Sequence, residues 1–277
     1  KEYRQSIISL KRNFKNLILI ILGIFSASFG FKGFLLTNDF ILSFSHDILI
    51  SDKYFSWGWN AKGVEPLPSQ KMINLNRSFS YNKQGCLLHV LGVFPRYSRR
   101  MLSVPTSSQM LKYIDEQILF ISLLDRPIRD KLTLRPLDNG HGWNEVERIK
   151  VRHPSLAQCH ADKMYKSMKS ARLFIGTMNT TAPLEALAIN MPTILFWNPD
   201  HWELRGCAIE DYDNLKKVGI LHDTPESAAK MVNKIWNDPE SWWWSNGTQK
   251  VRAEFCHKFV RMSNDWIPQW KNAFDNL

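Results

Sequence analysis

The chain has 277 residues, a length that suits one large domain or two modest ones. Its 44% apolar and 12% aromatic content excludes wholesale disorder, and 13 Gly with 13 Pro exclude collagen-like and low-complexity classes. Against 26 Asp and Glu stand 36 Lys and Arg, a formal charge of +10; these basic residues are spread along the chain, which favours an anionic small substrate first and a membrane surface second, and leaves no nucleic-acid face. Cys86, Cys159, Cys207 and Cys256 have no CxxC spacing. That argues against a zinc ribbon, a thioredoxin-like motif or a disulfide framework, and fits a reducing compartment.

The chain begins at Lys1, which reads as a fragment or a trimmed product. Lys11, Arg12 and Lys15 precede an apolar run, 17–31, shorter than the about 20 residues that a spanning helix needs. It reads as a buried strand or core helix of a truncated lobe, with an interfacial or spanning segment as the alternative. Residues 48–59 give a short strand and an aromatic turn, and the polar, Pro-interrupted stretch 63–84 reads as a linker. The expected division is therefore 1–62 as the remnant of a first lobe, 63–84 as linker, 85–261 as the main lobe and 262–277 as a C-terminal helix.

From Gly85 the rhythm becomes regular. Strands are expected at 86–94, 132–137, 173–177, 193–197 and 218–221. Helices are expected at 107–124, where the apolar positions Met110, Leu111, Ile114, Ile118 and Ile121 have helical spacing, and at 164–171, 184–189 and 225–236, with more through Trp270. Strands alternating with helices predict parallel βαβ units and a Rossmann-like α/β domain.

In such a sheet, ligands bind beyond the carboxyl ends of the strands. Three segments there have suggestive chemistry. In 175–185 a strand end meets a turn holding Thr177, Asn179, Thr180 and Thr181, and a helix opens with Pro183 in its first turn. Unpaired N–H groups and the positive dipole end suit a phosphate, and Glu185 suits a ribose diol. The plain alternative is that the threonines only cap the helix and Glu185 complements its dipole. The loop 95–100 carries Arg96, Arg99 and Arg100 beside Tyr97; forked N–H donors clamp a pyrophosphate, or the loop is a solvated basic one. Arg135, ending the second strand, is a further candidate. In 196–205, Asn198 and Glu203 suit a sugar, and Trp197 or Trp202 a base or sugar face; otherwise Trp202 packs in the core and Asp200 caps a helix.

Other motifs are set aside. Asp211-Tyr212-Asp213 has the DxD form of a metal site but lies in a charged helical stretch. His201-Trp202-Glu203 lacks the Pro-Cys-x-x-Cys of a zinc deaminase. No GxGxxG, P-loop lysine, GxSxG or HExxH is present. His141 is a loop residue, as acid or base or as neither, and Trp242-Trp243-Trp244 reads as a buried helix between lobes.

The stretch 180–205, which runs Thr-Thr-Ala-Pro-Leu-Glu-Ala-Leu-Ala-Ile-Asn-Met-Pro-Thr-Ile-Leu-Phe-Trp-Asn-Pro-Asp-His-Trp-Glu-Leu-Arg, resembles the C-terminal lobe of bacterial surface-polysaccharide transferases. Blocks 50–59, 95–99, 218–229 and 240–243 are similar to others of that family, which is encoded among O-antigen and capsule genes and resembles GT-B glycosyltransferases. The resemblance spans 48–261. It implies a GT-B-like fold with a complete C-terminal Rossmann-like lobe and a truncated N-terminal one. It also implies a nucleotide-sugar donor on Thr180, Thr181 and Glu185, with Arg96, Arg99 and Arg135 near its phosphates. Asn179, Asn198 and Glu203 complete the candidate donor set.

No metal and no further cofactor are expected. The acceptor would be a glycan or lipid-linked, and the protein cytoplasmic, with peripheral contact to the inner membrane left open. Related proteins carry a longer first lobe with a His-Gly-Gly loop, where this chain has Phe31-Lys-Gly-Phe-Leu-Leu-Thr37. GT-B enzymes take their acceptor, and often their base, from that lobe, and no residue here is assigned as the base. A nucleotide-sugar epimerase, a glycerophosphate-type transferase and an inactive nucleotide-binding remnant therefore stand as alternatives.

Overall fold

The computed structural model describes residues 48, 53–69, 71–72, 79–92, 96–97, 105, 107–136, 141–159 and 163–276. The apolar run 17–31, the segment 31–37, Arg99 and Arg100 lie outside the described residues.

Six parallel strands form one sheet: β3 (Cys86–Val90), β4 (Leu132–Arg135), β5 (Ala157–Gln158), β6 (Ala171–Gly176), β7 (Thr193–Phe196) and β8 (Leu221–His222). Their order is β5-β4-β3-β6-β7-β8. The chain thus starts at the middle of the sheet, winds outward through β4 and β5, then crosses back to β6 and winds out the other way. The switch point of this Rossmann-like order lies between β3 and β6. Apolar runs such as Leu-Phe-Ile in β6 and Ile-Leu-Phe in β7 suit strands covered on both faces.

The helices are α1 (Ser107–Leu123), α2 (Arg126–Arg129), α3 (Glu145–Arg152), α4 (Met164–Ser170), α5 (Thr181–Ala188), α6 (Gly206–Lys217), α7 (Pro225–Ile235), α8 (Pro239–Trp243), α9 (Asn246–Phe259) and α10 (Trp266–Asp275). Side chains alternate between two cores, as a period of two requires. Leu87, Leu173, Ile175 and Ile194 join α1 and α7 through Phe120, Ile121, Ala228 and Val232. Leu88, Phe174 and Leu195 face the other way, into a core with Leu184, Tyr212 and Phe259. α7 begins as its sequence dictates, with Pro225 at its first position and Thr224 accepting a capping bond from Ser227 N at 3.2 Å.

β1 (Tyr54–Ser56) pairs in parallel with β2 (Val64–Pro66), outside the main sheet. Tyr54, Trp57 and Trp59 are buried in the same core as Phe255 and Phe259 of α9. Phe55 and Leu67 pack with Trp270 and Ala273 of α10, whose Trp270 indole donates to Pro68 O at 3.0 Å. Part of the stretch 63–84 is therefore strand, pinned by the C-terminal helices.

Other elements differ from the sequence expectation at their edges. β8 falls at Leu221–His222 rather than 218–221, because Val218 closes α6 and Gly219, at φ 75°, turns the chain. The short β5 and the charged helix α3, which buries only Val146 and Ile149 among its apolar residues, have too little apolar pattern to be seen. Of the three consecutive tryptophans only Trp243 is fully buried; Trp242 donates to Val218 O at 2.8 Å and Trp244 is exposed.

Gly92, just past β3, lies against Met178; a Cβ there would sit 1.5 Å from its sulfur. Gly92→Ala is expected to cost about 1–3 kcal/mol by overpacking, read as a lower urea midpoint, and adding Met178→Ala should restore part of it. An unchanged midpoint for the single variant would refute this packing.

His89, in β3, is buried, with Nε2 2.9 Å from Gln117 Oε1 and its ring edge-on to Phe120. Burial lowers its pKa from 6.5 to about 4. The native ring stays neutral while the unfolded ring takes up a proton below 6.5. Stability is thus intact above that pH and is lost toward pH 4, by up to about 1.4 kcal/mol per pH unit. His89→Leu should flatten this slope between pH 6.5 and 4 in denaturant titrations; an identical slope would exclude His89 as its source.

Candidate functional site

β3 and β6 end side by side, and the turn from Gly176 into α5 closes over their carboxyl ends. A chain of hydrogen bonds fixes this corner. Gly92 N donates to the Tyr113 hydroxyl at 2.9 Å, and Thr177 Oγ1 donates to Val90 O at 2.8 Å. With the Thr177 proton committed, Tyr113 is the donor in its 2.7 Å bond to Thr177. Burial pushes the Tyr113 pKa up, so the donor keeps its proton. From the other side, the Tyr212 hydroxyl of α6 donates to Asn179 Oδ1 at 2.9 Å, and both residues are buried.

This corner borders a cleft of about 280 Å³ at the switch point, lined by Val90, Gly92, Met164, Thr180, Thr181 and Glu185, among others. Thr180 stands at the N-cap position of α5 in extended conformation, and its side chain makes no capping bond. The alternative in which the threonines serve as caps therefore fails for Thr180. Pro183 occupies the first turn of α5, and the residues that open this helix, 180–183, line the cleft. Glu185 is one turn in and 7% exposed. Its Oε1 lies 2.6 Å from Lys71 Nζ.

The structure thus brings Thr180, Thr181 and Glu185 together around one cleft, with Asn179 holding the turn beneath them. The other described candidates, Arg96, Arg135, Asn198 and Glu203, lie outside its lining. Arg135 is buried, with Nε donating to Ser167 Oγ of α4 at 3.0 Å. Arg96 is exposed and stacks over Trp143 at 5.7 Å. Asn198 caps the short helix Pro199–His201 by accepting from Asp200 N at 3.0 Å, and it donates to Glu116 Oε1 at 3.1 Å. Glu203 is exposed, whereas Trp202 is fully buried in the core. His141 is exposed.

Beside Asn198, burial raises the Glu116 pKa, while burial and the Lys112 charge lower that of His201. Asp211 pairs with Lys258 and Asp213 with Lys216, so the DxD stretch is tied to neighbouring lysines. Among the described residues no group of three or more His, Cys, Asp or Glu is placed to hold a metal, and no helix is long and apolar enough to cross a membrane.

Sequence reasoning missed Tyr113 and Lys71. Tyr113 sits in the buried stripe of α1, three residues after Met110, and reads as core. Lys71 lies in an irregular stretch where spacing carries no signal.

Together these features define an α/β protein with a doubly wound parallel sheet and a ligand-sized cleft at its switch point. The chain matches the model of the LIC12162 family transferase over residues 34–274, and it belongs to that family of transferases. Among solved structures it is similar to a trehalose-6-phosphate synthase, OtsA, at 14% identity and a TM-score of 0.41, covering 77% of this chain and 50% of that one. It is also similar to the N-terminal domain of Candida albicans trehalose-6-phosphate phosphatase, at 13% identity and a TM-score of 0.38, covering 85% of this chain and 61% of that one. The chain therefore spans about half the length of the synthase. No curated protein matches it in sequence.

Tyr113→Phe leaves the buried Gly92 N–H without its acceptor and should lower stability by about 1–3 kcal/mol. Urea unfolding checks this, and a variant as stable as the parent would show that the hydroxyl is not needed.

Proposed function

We propose that this transferase is a GT-B-like glycosyltransferase that takes a nucleotide sugar as donor. Its role would be the assembly of a bacterial surface polysaccharide, O-antigen or capsule, on a glycan or lipid-linked acceptor at the cytoplasmic face of the membrane. The observation that carries the reading is the cleft at the β3–β6 switch point, bordered by the start of α5 and by Glu185. A diphosphate fits the N–H groups and dipole at the start of that helix. The hydroxyls of Thr180 and Thr181 add donors, and the Glu185 carboxylate supplies an acceptor pair for a ribose diol. Membership in a family of transferases supports group transfer over a purely binding role.

In this reading the acceptor oxygen bonds to the anomeric carbon as the bond from that carbon to the diphosphate oxygen breaks, and the acceptor's proton passes to solvent or to the departing diphosphate. The protein's contribution is positioning, together with stabilisation of the developing charge on the leaving phosphate by the helix start and nearby cations. Arg96, which stacks on Trp143 and lies outside the cleft lining, would add positive charge from the loop after β3. The resemblance to surface-polysaccharide transferases in blocks 50–59, 180–205 and 218–229 supports the pathway assignment.

Calorimetric titration with UDP-, GDP-, CDP- and CMP-linked sugars tests the proposal. One of them should bind and release free nucleotide when membrane-derived acceptor is added. Binding without release would favour the inactive remnant, and binding of none would overturn the reading. For Glu185→Ala, affinity for the parent nucleoside should fall about tenfold, and discrimination against its 2′,3′-dideoxy form should vanish. Unchanged affinity in a folded variant would remove Glu185 from the site.

A further inference from the structure

The partner of Glu185 comes from far away in the chain. Glu185 belongs to α5, whereas Lys71 lies in the segment between β2 and β3, before the main sheet begins. The backbone around Lys71 is tethered on both sides. Ser69 N donates to Arg261 O at 2.7 Å, and Met72 N donates to Ser69 O at 3.1 Å. Met72 is fully buried. This anchoring delivers the Lys71 ammonium to within 2.6 Å of the carboxylate, while the lysine side chain remains 36% exposed.

Among the described residues that line the cleft, Glu185 is the only charged one. A bare carboxylate repels a diphosphate brought close to it. The same carboxylate is what a ribose diol needs. A cation held at Glu185 on a flexible stem resolves the conflict, and a lysine whose side chain is still 36% exposed can exchange one anionic partner for another as a ligand enters.

We infer that Lys71 is a phosphate-binding residue of this cleft. Its ammonium neutralises Glu185 and turns to a phosphate oxygen of the bound nucleoside diphosphate, leaving the carboxylate to the ribose. The inference rests on the reading of the cleft as a nucleoside diphosphate seat. Its rival is that Lys71 is a latch, competing with the ribose for Glu185 and opposing every ligand.

The two differ in how they treat a ligand with and without phosphates. Uridine, guanosine and cytidine diphosphates, and the matching nucleosides, are titrated by calorimetry into the full chain and into Lys71→Gln, Lys71→Arg and Glu185→Gln. Melting curves check that each variant folds, and Lys71→Met is the second neutral variant should Lys71→Gln not fold. Loss of the charge should weaken the diphosphate about tenfold while the nucleoside binds as well or better, since Glu185 is then free for the ribose, and Lys71→Arg should keep the diphosphate affinity. Glu185→Gln should act the opposite way on the ratio, weakening the nucleoside and raising the preference for the diphosphate as Lys71 is released. Equal diphosphate binding by the neutral Lys71 variant, or tighter binding of both ligands, would overturn the inference while leaving the cleft's reading intact. If no diphosphate binds the parent chain, that reading itself falls, and the inference with it.

Discussion

The buried hydroxyl pair of Tyr113 and Thr177 is the constraint on which the candidate site depends. It ties helix α1, through Tyr113, to two strands already paired in the sheet: the end of β3, through Gly92 N and Val90 O, and the turn leaving β6, through Thr177. Each hydroxyl both donates and accepts, so all the polar groups in the chain are satisfied away from water. In an apolar interior that is the condition for a polar network to add rigidity rather than cost stability. The close approach of Met178 to Gly92 tightens the same corner by packing. The turn that leads from β6 into α5 is thereby tied to β3 at the border of the cleft.

Much of the sheet was legible because its strands are covered on both faces and read as apolar runs between polar loops. The period-two alternation that splits Leu87 from Leu88, and Leu173 from Phe174, between two cores was latent in those runs. The Thr180, Thr181 and Glu185 group was legible for a different reason. It sits within a strand–turn–helix stretch, where local order along the chain already places residues in space. Arg96, Arg135, Asn198 and Glu203 show the limit of the same logic. Each follows or ends a strand at the correct edge of the sheet, but an edge is tens of ångströms of perimeter, and which side chain turns inward is decided by tertiary partners. Arg135 turns to Ser167 and Asn198 to Glu116, contacts of long sequence separation that no spacing announces.

Tyr113 and Lys71 illustrate the converse. A tyrosine in an apolar helical stripe gives the same pattern whether its hydroxyl is a core ornament or a structural bond, since only the partner atoms distinguish the two. A lysine in a stretch rich in Pro, Ser and Asn carries no periodic signal at all. What places Lys71 is packing against the other end of the chain. The aromatic residues of β1 and the turn after it fill a space against α9, and α10 closes on Pro68 through the Trp270 indole.

That arrangement gives the C-terminal helices a role in the site that their distance along the chain hides. Arg261, just after α9, donates its N–H to Trp57 O at 2.6 Å and accepts from Ser69 N at 2.7 Å, so one residue ties both ends of the β1–β2 unit. α9 in turn packs on α5, with Arg252 donating to Leu187 O at 2.9 Å. Helix α5, which carries Glu185, and the segment that carries Lys71 are therefore referenced to the same rigid element. Two opposite charges from separate parts of the chain meet at 2.6 Å, and the packing around α9 helps to set where both backbones lie. Helix α5 also packs on β6 and β7, so Glu185 is referenced to the sheet as well as to α9, whereas the position of Lys71 depends on how β1 and β2 pack against the C-terminal helices.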